Sequence, residues 1–455
     1  MDIKSIINLD KKAEDIISAL KEKSVVVKAW KDLELEYNPR KHPVMDTQKY
    51  PDRIEADGTT TAVTRVTYAL QRLAVKRLTE LCFGIPVRRV YDIPEGREDL
   101  QEMADLMDAI FKANRIDAVN VRRGTSLFAS CECMTLWYAE VKDTMYGTFK
   151  SKLKLRCVTY SPMLGDEIYP LFDEYGDLIA LSVQYSRKTG STQTTYFDTY
   201  TADTHYKWSS VSEGGNSAAS TPGASAYKLE DKEDIKIGKI PAVYIWRPEP
   251  AWEDTSPIVY EMEWAMSRNG NYLRENSRPV FVVFADEQIP FGKEPAANAA
   301  DKSVLKYPKG SNAAYVTWAQ ATDSLKFHVT ELRQIFFTQL QLPDWSFDNM
   351  KAVPQSGESM KQMFIDAVLK VSDEEGRLVE AFDREINVVK AFMKKMAPGK
   401  EELIDSLDVD VVITPCMLDE NADAKDEAAG EVVDGTRRQT DTNAGPGDLQ
   451  KREQN

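Results

Sequence analysis

Apolar residues recur every three or four positions along several long stretches of the chain, which is the pattern of helices that bury one side. Gly84 and Pro86 are expected to end the first of these, since glycine favours the turn after a helix and proline cannot continue one. The longest stretch carries apolar side chains on one side from Met360 to Met393. The pattern predicts helices at about 63–83, 97–114, 256–277, 323–341 and 358–396, and another that begins near Asp117.

The period changes to two between Cys131 and Arg247, where β-branched and aromatic residues alternate with polar ones. The runs are MTLWYAEV, KLKLRCVTY, LIALSVQYS, QTTYFDTYT and PAVYIW, and turns that contain Asp, Gly or Pro separate them. This pattern predicts an antiparallel sheet. Residues 209–226 are rich in Gly, Ser and Ala and are predicted to form a mobile loop. A smaller β unit is predicted within residues 279–320.

The stretch LPDWSFDNMKAVPQSGESMKQMF, from Leu342 to Phe364, follows neither period. It joins two strong helical patterns through a connection that is longer than an ordinary turn. Ser356, followed by Gly357, is predicted to cap the next helix, because a serine side chain can accept a hydrogen bond from the first helical amides. The sequence therefore predicts an irregular loop over residues 342–356.

The composition is that of a folded protein: 42% of the 455 residues are apolar and 29% are charged. The net charge of −15 argues against a protein that holds nucleic acid by neutralising phosphates. No apolar run approaches the roughly 20 residues that span a bilayer, and the charged N-terminus does not match a signal peptide. We therefore expect no membrane association and a location in the cytoplasm where the chain is made. Residues 419–455 are polar and acidic and are predicted to be disordered.

The sequence contains neither a phosphate-binding glycine motif nor a complete serine-hydrolase motif, so no catalytic residue and no cofactor is predicted. Cys131 and Cys133 are expected to face the same side of a strand, but a tetrahedral zinc site needs two further ligands. Both are predicted to be buried structural cysteines, and no metal site is predicted. His328 is expected to be structural, and Glu261 and Glu263 are expected to lie on a solvated face.

A small basic cluster lies within the β unit at 279–320. It consists of Lys302, Lys306, Tyr307 and Lys309. Lysines at a sheet edge commonly protect it from aggregation, whereas the same residues could form a docking surface for a partner. The sequence leaves both interpretations open.

The order of the elements resembles that of the portal proteins of tailed bacteriophages, particularly the siphophage branch found with Gram-positive hosts. Three local segments resemble that family as well. LTELCFGIPVRRV resembles its helix that ends in a Gly-x-Pro-Val turn. IGKIPAVYIWRPEPAWEDTSPIVYEMEWAMSRNGNYLREN resembles its strand leading into the first stem helix. LPDWSFDNMKAVPQSGESMKQMF resembles its tunnel loop and the Ser-Gly that opens the next helix, so the resemblance covers about residues 60–396.

The resemblance implies an α+β portal fold with a crown that is reduced or absent. The wing is expected to contain helices followed by the antiparallel sheet. The implied parts are a wing at 1–250, a first stem helix at 251–278, a clip at 279–320, a second stem helix at 321–341, a tunnel loop at 342–356, a long helix of the wing and upper channel at 357–396, a short C-terminal segment or reduced crown at 397–418, and the disordered acidic tail at 419–455.

The same resemblance implies a structural protein, not an enzyme, that forms a ring of about twelve subunits at one capsid vertex. Double-stranded DNA is expected to pass through its channel during packaging and ejection, without sequence-specific contacts. The implied partners are further copies of the chain, terminase, the head–tail adaptor, and the major capsid and scaffolding proteins. Assembly is expected in the host cytoplasm, and the final location is the virion.

Two groups of residues receive roles from the resemblance. The clip residues Lys302, Lys306, Tyr307 and Lys309 are expected to dock partners. The tunnel-loop residues expected near DNA are Trp345, Phe347, Asp348, Asn349, Met350 and Lys351. The two aromatic residues of the loop could instead pack against the stem. The alternative functions are another virion component, such as a head–tail connector, and an enzyme with an unrecognised active site.

Overall fold

The computed structural model describes residues 3–22, 25, 27–54, 58–190, 192–212, 227–275, 280–284, 312–316, 322–342, 344 and 364–416. Its mixture of helices and sheets confirms the predicted α+β class. The helices are α1 (Ile3–Ile6), α2 (Ala13–Leu20), α3 (Trp30–Tyr37), α4 (Leu70–Phe83), α5 (Glu98–Ala113), α6 (Ile116–Ser130), α7 (Ser256–Glu275), α8 (Thr322–Gln339), α9 (Ile365–Met396) and α10 (Glu401–Asp405).

The strands form separate antiparallel sheets. They are β1 (Arg53–Ile54), β2 (Thr60–Thr61), β3 (Arg88–Asp92), β4 (Glu132–Tyr146), β5 (Phe149–Tyr160), β6 (Glu167–Phe172), β7 (Leu178–Thr189), β8 (Thr192–Tyr200), β9 (Thr204–Ser212), β10 (Lys228–Asp234), β11 (Ala242–Trp246), β12 (Val280–Phe284), β13 (Asn312–Val316) and β14 (Asp408–Val412). Within the described residues, the single sheet predicted at 131–247 is two sheets, one ordered β11-β4-β5 and one ordered β10-β9-β8-β7-β6.

A helical layer packs against the three-stranded sheet. Helix α5 buries Leu100, Met103, Met107 and Ile110, whose spacing of three and four residues places them on one side. Helix α6 runs directly into β4 through Cys131, which adopts a left-handed conformation at φ 64°. This short connection places the helical layer and the sheet in one hydrophobic core.

The predicted helix at 63–83 is correct at its end and wrong at its beginning. Gly84 caps α4, as the sequence indicated. The helix begins at Leu70, however, and residues 62–69 form neither helix nor strand. The reason is a set of contacts with α7, described below.

The long helix α9 crosses both the helical layer and the three-stranded sheet. After it, α10 and β14 return to the helical layer, where β14 pairs antiparallel with β3. The amide of Cys416 then donates to the carbonyl of Leu81 at 2.9 Å. Within the segment predicted at 397–418, the described residues 397–416 pack in this core. Its assignment as a short C-terminal segment or a reduced crown stays a prediction.

The structure describes only parts of two predicted segments, the loop at 209–226 and the β unit at 279–320. Strand β9 continues to Ser212, so residues 209–212 of the loop predicted at 209–226 are strand. In the β unit predicted at 279–320, β12 pairs antiparallel with β13 from Val280 opposite Val316 to Phe284 opposite Asn312. Within the described residues, no helix is long and apolar enough to cross a membrane.

Candidate functional site

Helices α7 and α8, here called the helix pair, flank β12 and β13 in the chain and pack against each other. The pair is only partly covered by the rest of the chain. Leu273 of α7 is 51% exposed, and Phe327 and Ile335 of α8 are 67% and 41% exposed. Both helices thus present apolar side chains to solvent, which makes the helix pair a candidate contact surface.

The beginning of α7 is held by one carboxylate. Glu36 of α3 accepts hydrogen bonds from the Ser256 hydroxyl at 2.7 Å and from the Trp252 indole at 2.9 Å. A carboxylate at a helix N-terminus also interacts favourably with the partial positive charge of the unpaired amides there. Ser256 is the first residue of this helix.

An extended segment, residues 64–68, lies along α7 and is here called the anchor strip. Its alternate amides donate to side chains of the helix: Tyr68 to Glu263 Oε1 at 2.8 Å, Val66 to Ser267 Oγ at 2.9 Å, and Thr64 to Asn271 Oδ1. These contacts explain why residues 64–68 do not continue the helix. In a helix these amides would have backbone partners instead.

The distance between alternate amides of the anchor strip nearly matches the distance between every fourth residue of α7. Two residues of extended chain advance by about 6.7 Å, and four residues of helix advance by about 6.0 Å. Residues 263, 267 and 271 therefore present acceptors on one side of α7 at nearly the spacing of the alternate strip amides. Gly270 permits the close approach, because a Cβ atom there would lie 2.7 Å from Cγ2 of Thr64.

Glu263 is the central acceptor of this arrangement. It is fully buried and also contacts Nδ1 of His42 at 2.7 Å, while Nε2 of His42 lies 2.7 Å from the carbonyl oxygen of Glu36. The expectation of a solvated face is wrong for Glu263. Glu261 is exposed, as expected, and lies 3.5 Å from His328 across the helix pair.

A second layer supports the anchor strip from the other side. Arg65 donates to Asp52 Oδ1 and to the carbonyl of Tyr50, both at 2.8 Å. The Arg65 hydrogen bond is the main reason that the pKa of Asp52 is below its usual value. Tyr50 packs edge-on against Trp264 of α7 with ring centroids 4.7 Å apart. Both faces of the strip are therefore tied to the helix pair.

The C-terminal end of α8 stops sharply. Leu342 N donates to Phe337 O at 3.1 Å, and Gln341 N donates to Thr338 O at 3.1 Å. With Gln341 left-handed at φ 55°, this is a Schellman motif in which Leu342 and Phe337 are both buried. On the far side of the predicted loop, Phe364 is also buried. Leu342, where the predicted loop begins, and Phe364, directly before α9, are thus both buried in the core.

Two buried ion pairs tie α9 to the β-sheet side of the core. Glu385 binds Arg123 of α6, with Nη1 to Oε2 at 2.9 Å, and it also accepts from the Trp137 indole at 2.7 Å. Glu374 accepts from Arg247 at 2.8 Å. These pairs fix the orientation of α9 because a buried carboxylate that loses its partner is costly.

Cys82, Cys131 and Cys133 are buried thiols that are not activated for reaction. Burial raises the pKa of Cys82, Cys131 and Cys133 to about 12, so their thiols stay protonated at neutral pH. This confirms the prediction of buried structural cysteines at positions 131 and 133. Within the described ranges, no group of three or more His, Cys, Asp or Glu side chains could hold a metal ion.

A protein-family comparison decides the identity. The family described as "Phage portal protein, SPP1 Gp6-like" matches residues 29–439. The chain belongs to this family of phage portal proteins. The portal resemblance of the sequence is thereby confirmed at the level of the family, which is structural and not enzymatic. The protein is accordingly a structural component of a virion with a portal or head–tail connector role.

Other comparisons add little to the family assignment. Among solved structures, a chain from "Virion of native gene transfer agent (GTA) particle" matches with 8% identity and a TM-score of 0.37, covering 94% of this portal protein and 95% of that chain. A chain from "Neck of empty GTA particle computed with C6 symmetry" matches with 9% identity and a TM-score of 0.37, covering 90% and 92%. Scores this low carry no argument. No curated protein matches.

The site residues predicted for a portal lie outside the described residues. They are Trp345, Phe347, Asp348, Asn349, Met350 and Lys351 of the tunnel loop, Ser356 and Gly357 at the following helix, and Lys302, Lys306, Tyr307 and Lys309 of the clip. Their roles remain predictions. Among the described residues, the candidate site is the helix pair with its anchor strip.

Sequence reasoning missed the buried charges of the portal protein, although a signal existed for two of them. Glu374 lies between Val371 and Leu378 on the apolar side of α9, and Glu385 lies on the same side between Phe382 and Val389. An acidic residue at a core position needs a buried cation as its partner. The sequence could not show which arginines supply it.

Proposed function

We propose that this portal protein assembles into a ring at one vertex of a siphophage-type capsid and that double-stranded DNA passes through the ring during packaging and ejection. The family match over residues 29–439 is the observation that carries the proposal. The ring docks terminase during packaging and the head–tail adaptor afterwards, and it contacts the major capsid and scaffolding proteins. Assembly takes place in the host cytoplasm.

The helix pair forms the wall of the channel in this proposal. Its exposed apolar residues Leu273, Phe327 and Ile335 support the idea that a second copy of the chain covers them. Repeated head-to-tail contacts close into a ring when the rotation between copies is a whole fraction of a turn. Twelve copies of the 51.4 kDa chain have a mass of about 617 kDa.

The rest of the chain follows the portal map. The region 1–250 is the wing, the β12–β13 pair belongs to the clip at 279–320, and the loop at 342–356 projects toward the channel axis. The buried residues Leu342 and Phe364 support this last assignment, because they hold the loop and the adjoining residues at two fixed points of the core. Copies of the loop then converge and form the narrowest aperture.

The charges of the helix pair are compatible with double-stranded DNA that moves along it without being held. Its described side chains include acidic and basic residues in similar number, among them Glu261, Arg268, Glu331 and Arg333. A surface of mixed charge offers double-stranded DNA no continuous row of cations on which to stop. Such a surface therefore does not hold the phosphate backbone in one place.

Assembly is tested with a double variant of α8. Phe327→Gln with Ile335→Gln removes the largest exposed apolar side chains, and Thr330→Gln on the same helix is the matched control. Full burial of a Phe side chain stabilises by about 1.5–3 kcal/mol, so association of subunits weakens at least tenfold in the double variant. Mass photometry measures this directly. Equal ring fractions in the double variant and the control contradict the proposed contact.

The tunnel loop is tested by shortening. Removal of residues between Pro343 and Gln355 leaves the ring intact, because the flanking helices supply the packing, but alters DNA packaging or retention. Removal of the same number of residues from the Gly/Ser/Ala-rich segment 213–226 is the control and leaves packaging unchanged. If loop-shortened particles package and retain full-length genomes as the parent does, the loop is a passive connector.

A further inference from the structure

Strand β5 carries a row of cations, here called the lysine row. Lys150, Lys152, Lys154 and Arg156 occupy alternate positions, so their side chains lie on one face of the strand. The residues between them point the other way, and Ser151 and Leu155 are buried. Six residues of strand extend over about 20 Å, with neighbouring cations about 6.7 Å apart.

The row is largely unneutralised. Among the described residues, the side chains of the three lysines form no ion pair and no side-chain hydrogen bond, whereas Arg156 pairs with Glu140 at 3.2 Å. Glu140 is also the cross-strand neighbour of Lys154. Lys150 and Lys152 are exposed, and Lys154 is partly exposed.

The row also lies at a sheet edge. The order β11-β4-β5 leaves β5 as the outer strand of its sheet among the described residues. The hairpin of β4 and β5 is buried only in part: Tyr146 at its tip lies in the core, whereas Val141 is 89% exposed and Met145 is 61% exposed. The lysine row is therefore accessible to a large partner.

We propose that the lysine row binds the phosphodiester backbone of double-stranded DNA, at a place separate from the channel. Lysine is depleted in protein–protein interfaces, whereas protein–DNA interfaces are strongly positive. A straight row of evenly spaced ammonium groups suits a polymer with evenly spaced charges and reads no base edges. The inference rests on the proposed portal function, which supplies DNA as the partner. It assigns the wing a contact with DNA that is not in transit.

The test uses preassembled full-length protein and relaxed, covalently closed circular DNA, which cannot thread a closed ring. Its binding therefore reports the outer surface. The row variant is K150Q/K152Q/K154Q. The matched control is K31Q/K49Q/K228Q, which removes the same charge from exposed and dispersed positions. Gel-shift titrations from 50 to 200 mM salt give the affinity and its salt dependence.

Each phosphate contact contributes about 0.9 to the slope of log affinity against log salt concentration. A row of four contacts therefore loses about 150-fold in affinity over this range, and the one remaining contact of the row variant loses about 3.5-fold. The parent and the dispersed control should behave alike, while the slope of the row variant falls by about 2.7. This result supports the proposal.

Three results overturn it. The row variant could bind circular DNA with the parent's affinity and slope. It could aggregate while its soluble fraction binds as the parent does, in which case the lysines only protect the sheet edge. The parent could bind a poly-glutamate probe through the row but not DNA, which indicates an acidic protein partner.

The particle mass of each preparation separates this inference from the proposed function. If the row variant forms rings of parent mass and binds DNA as the parent does, the inference is refuted and the proposed function stands. A parent that stays monomeric contradicts the proposed function, and row-dependent DNA binding by that monomer still supports the lysine row as a phosphate contact.

Discussion

Replacement of Glu263 by glutamine should release the anchor strip from α7. The carboxylate accepts from the amide of Tyr68 at 2.8 Å and pairs with His42 at 2.7 Å, with both side chains fully buried. Glutamine replaces the carboxylate by a neutral amide, and a hydrogen bond to a charged group is worth about 1.5–3 kcal/mol. Because Oε1 of Glu263 makes two such contacts, a loss of about 3 kcal/mol is expected.

Hydrogen exchange measured by mass spectrometry is the direct assay, because it reports local opening without a two-state assumption. A loss of about 3 kcal/mol corresponds to more than a hundredfold faster exchange in a peptide that spans residues 62–69, if exchange follows opening. The matched control is Glu261→Gln, two positions away on the same helix and exposed. Its pair with His328 is worth about 0–1 kcal/mol.

A second variant tests the attachment of the anchor strip to α7 without changing the charge of Glu263. Ser267→Ala leaves the amide of Val66 without its acceptor, which costs about 1–3 kcal/mol. Its effect should be confined to the same peptide. The reasoning is refuted if Glu263→Gln and Glu261→Gln show the same exchange in residues 62–69, because the buried contacts would then contribute nothing to holding the strip.

Three further results are expected. Gln341→Gly should stabilise the protein by about 1 kcal/mol in thermal unfolding, because glycine adopts the left-handed Schellman position without a Cβ penalty; no gain would contradict the motif. Glu385→Gln should destabilise by about 3 kcal/mol through the uncompensated charge of Arg123, and a change below 1 kcal/mol in the same melts would show that the pair is dispensable. Cys131 and Cys133 should stay unreactive toward a thiol reagent at pH 8 until the chain unfolds, as their raised pKa values require; rapid labelling of the native protein would contradict their burial.

The sequence predicted the class and order of the elements because periodicity is a local property. The spacing of Leu100, Met103, Met107 and Ile110 identifies α5 without knowledge of its neighbours. Residues 62–69 were assigned to a helix for the same reason, since Val63 and Val66 continue the spacing of α4. Their non-helical form depends on acceptors about 200 positions away, at Ser267 and Asn271. Such a tertiary contact overrides local preference.

The candidate site was predictable only through the family resemblance. Alternation identified the strands between Cys131 and Arg247 but not their pairing, and the single predicted sheet is two sheets in the structure. The charge of Glu263 indicated a solvated position, and its burial beside His42 could not be inferred from either residue alone. The tunnel-loop and clip residues came from the resemblance, and their roles are still to be tested.

Electron microscopy of the purified full-length protein tests the central claim most directly. Class averages should show closed rings with a central channel, about twelve subunits around the axis, and a stem narrower than the wing. Compact particles without a channel, or only monomers and dimers under assembly conditions, would contradict the proposal that this portal protein forms the channel for double-stranded DNA.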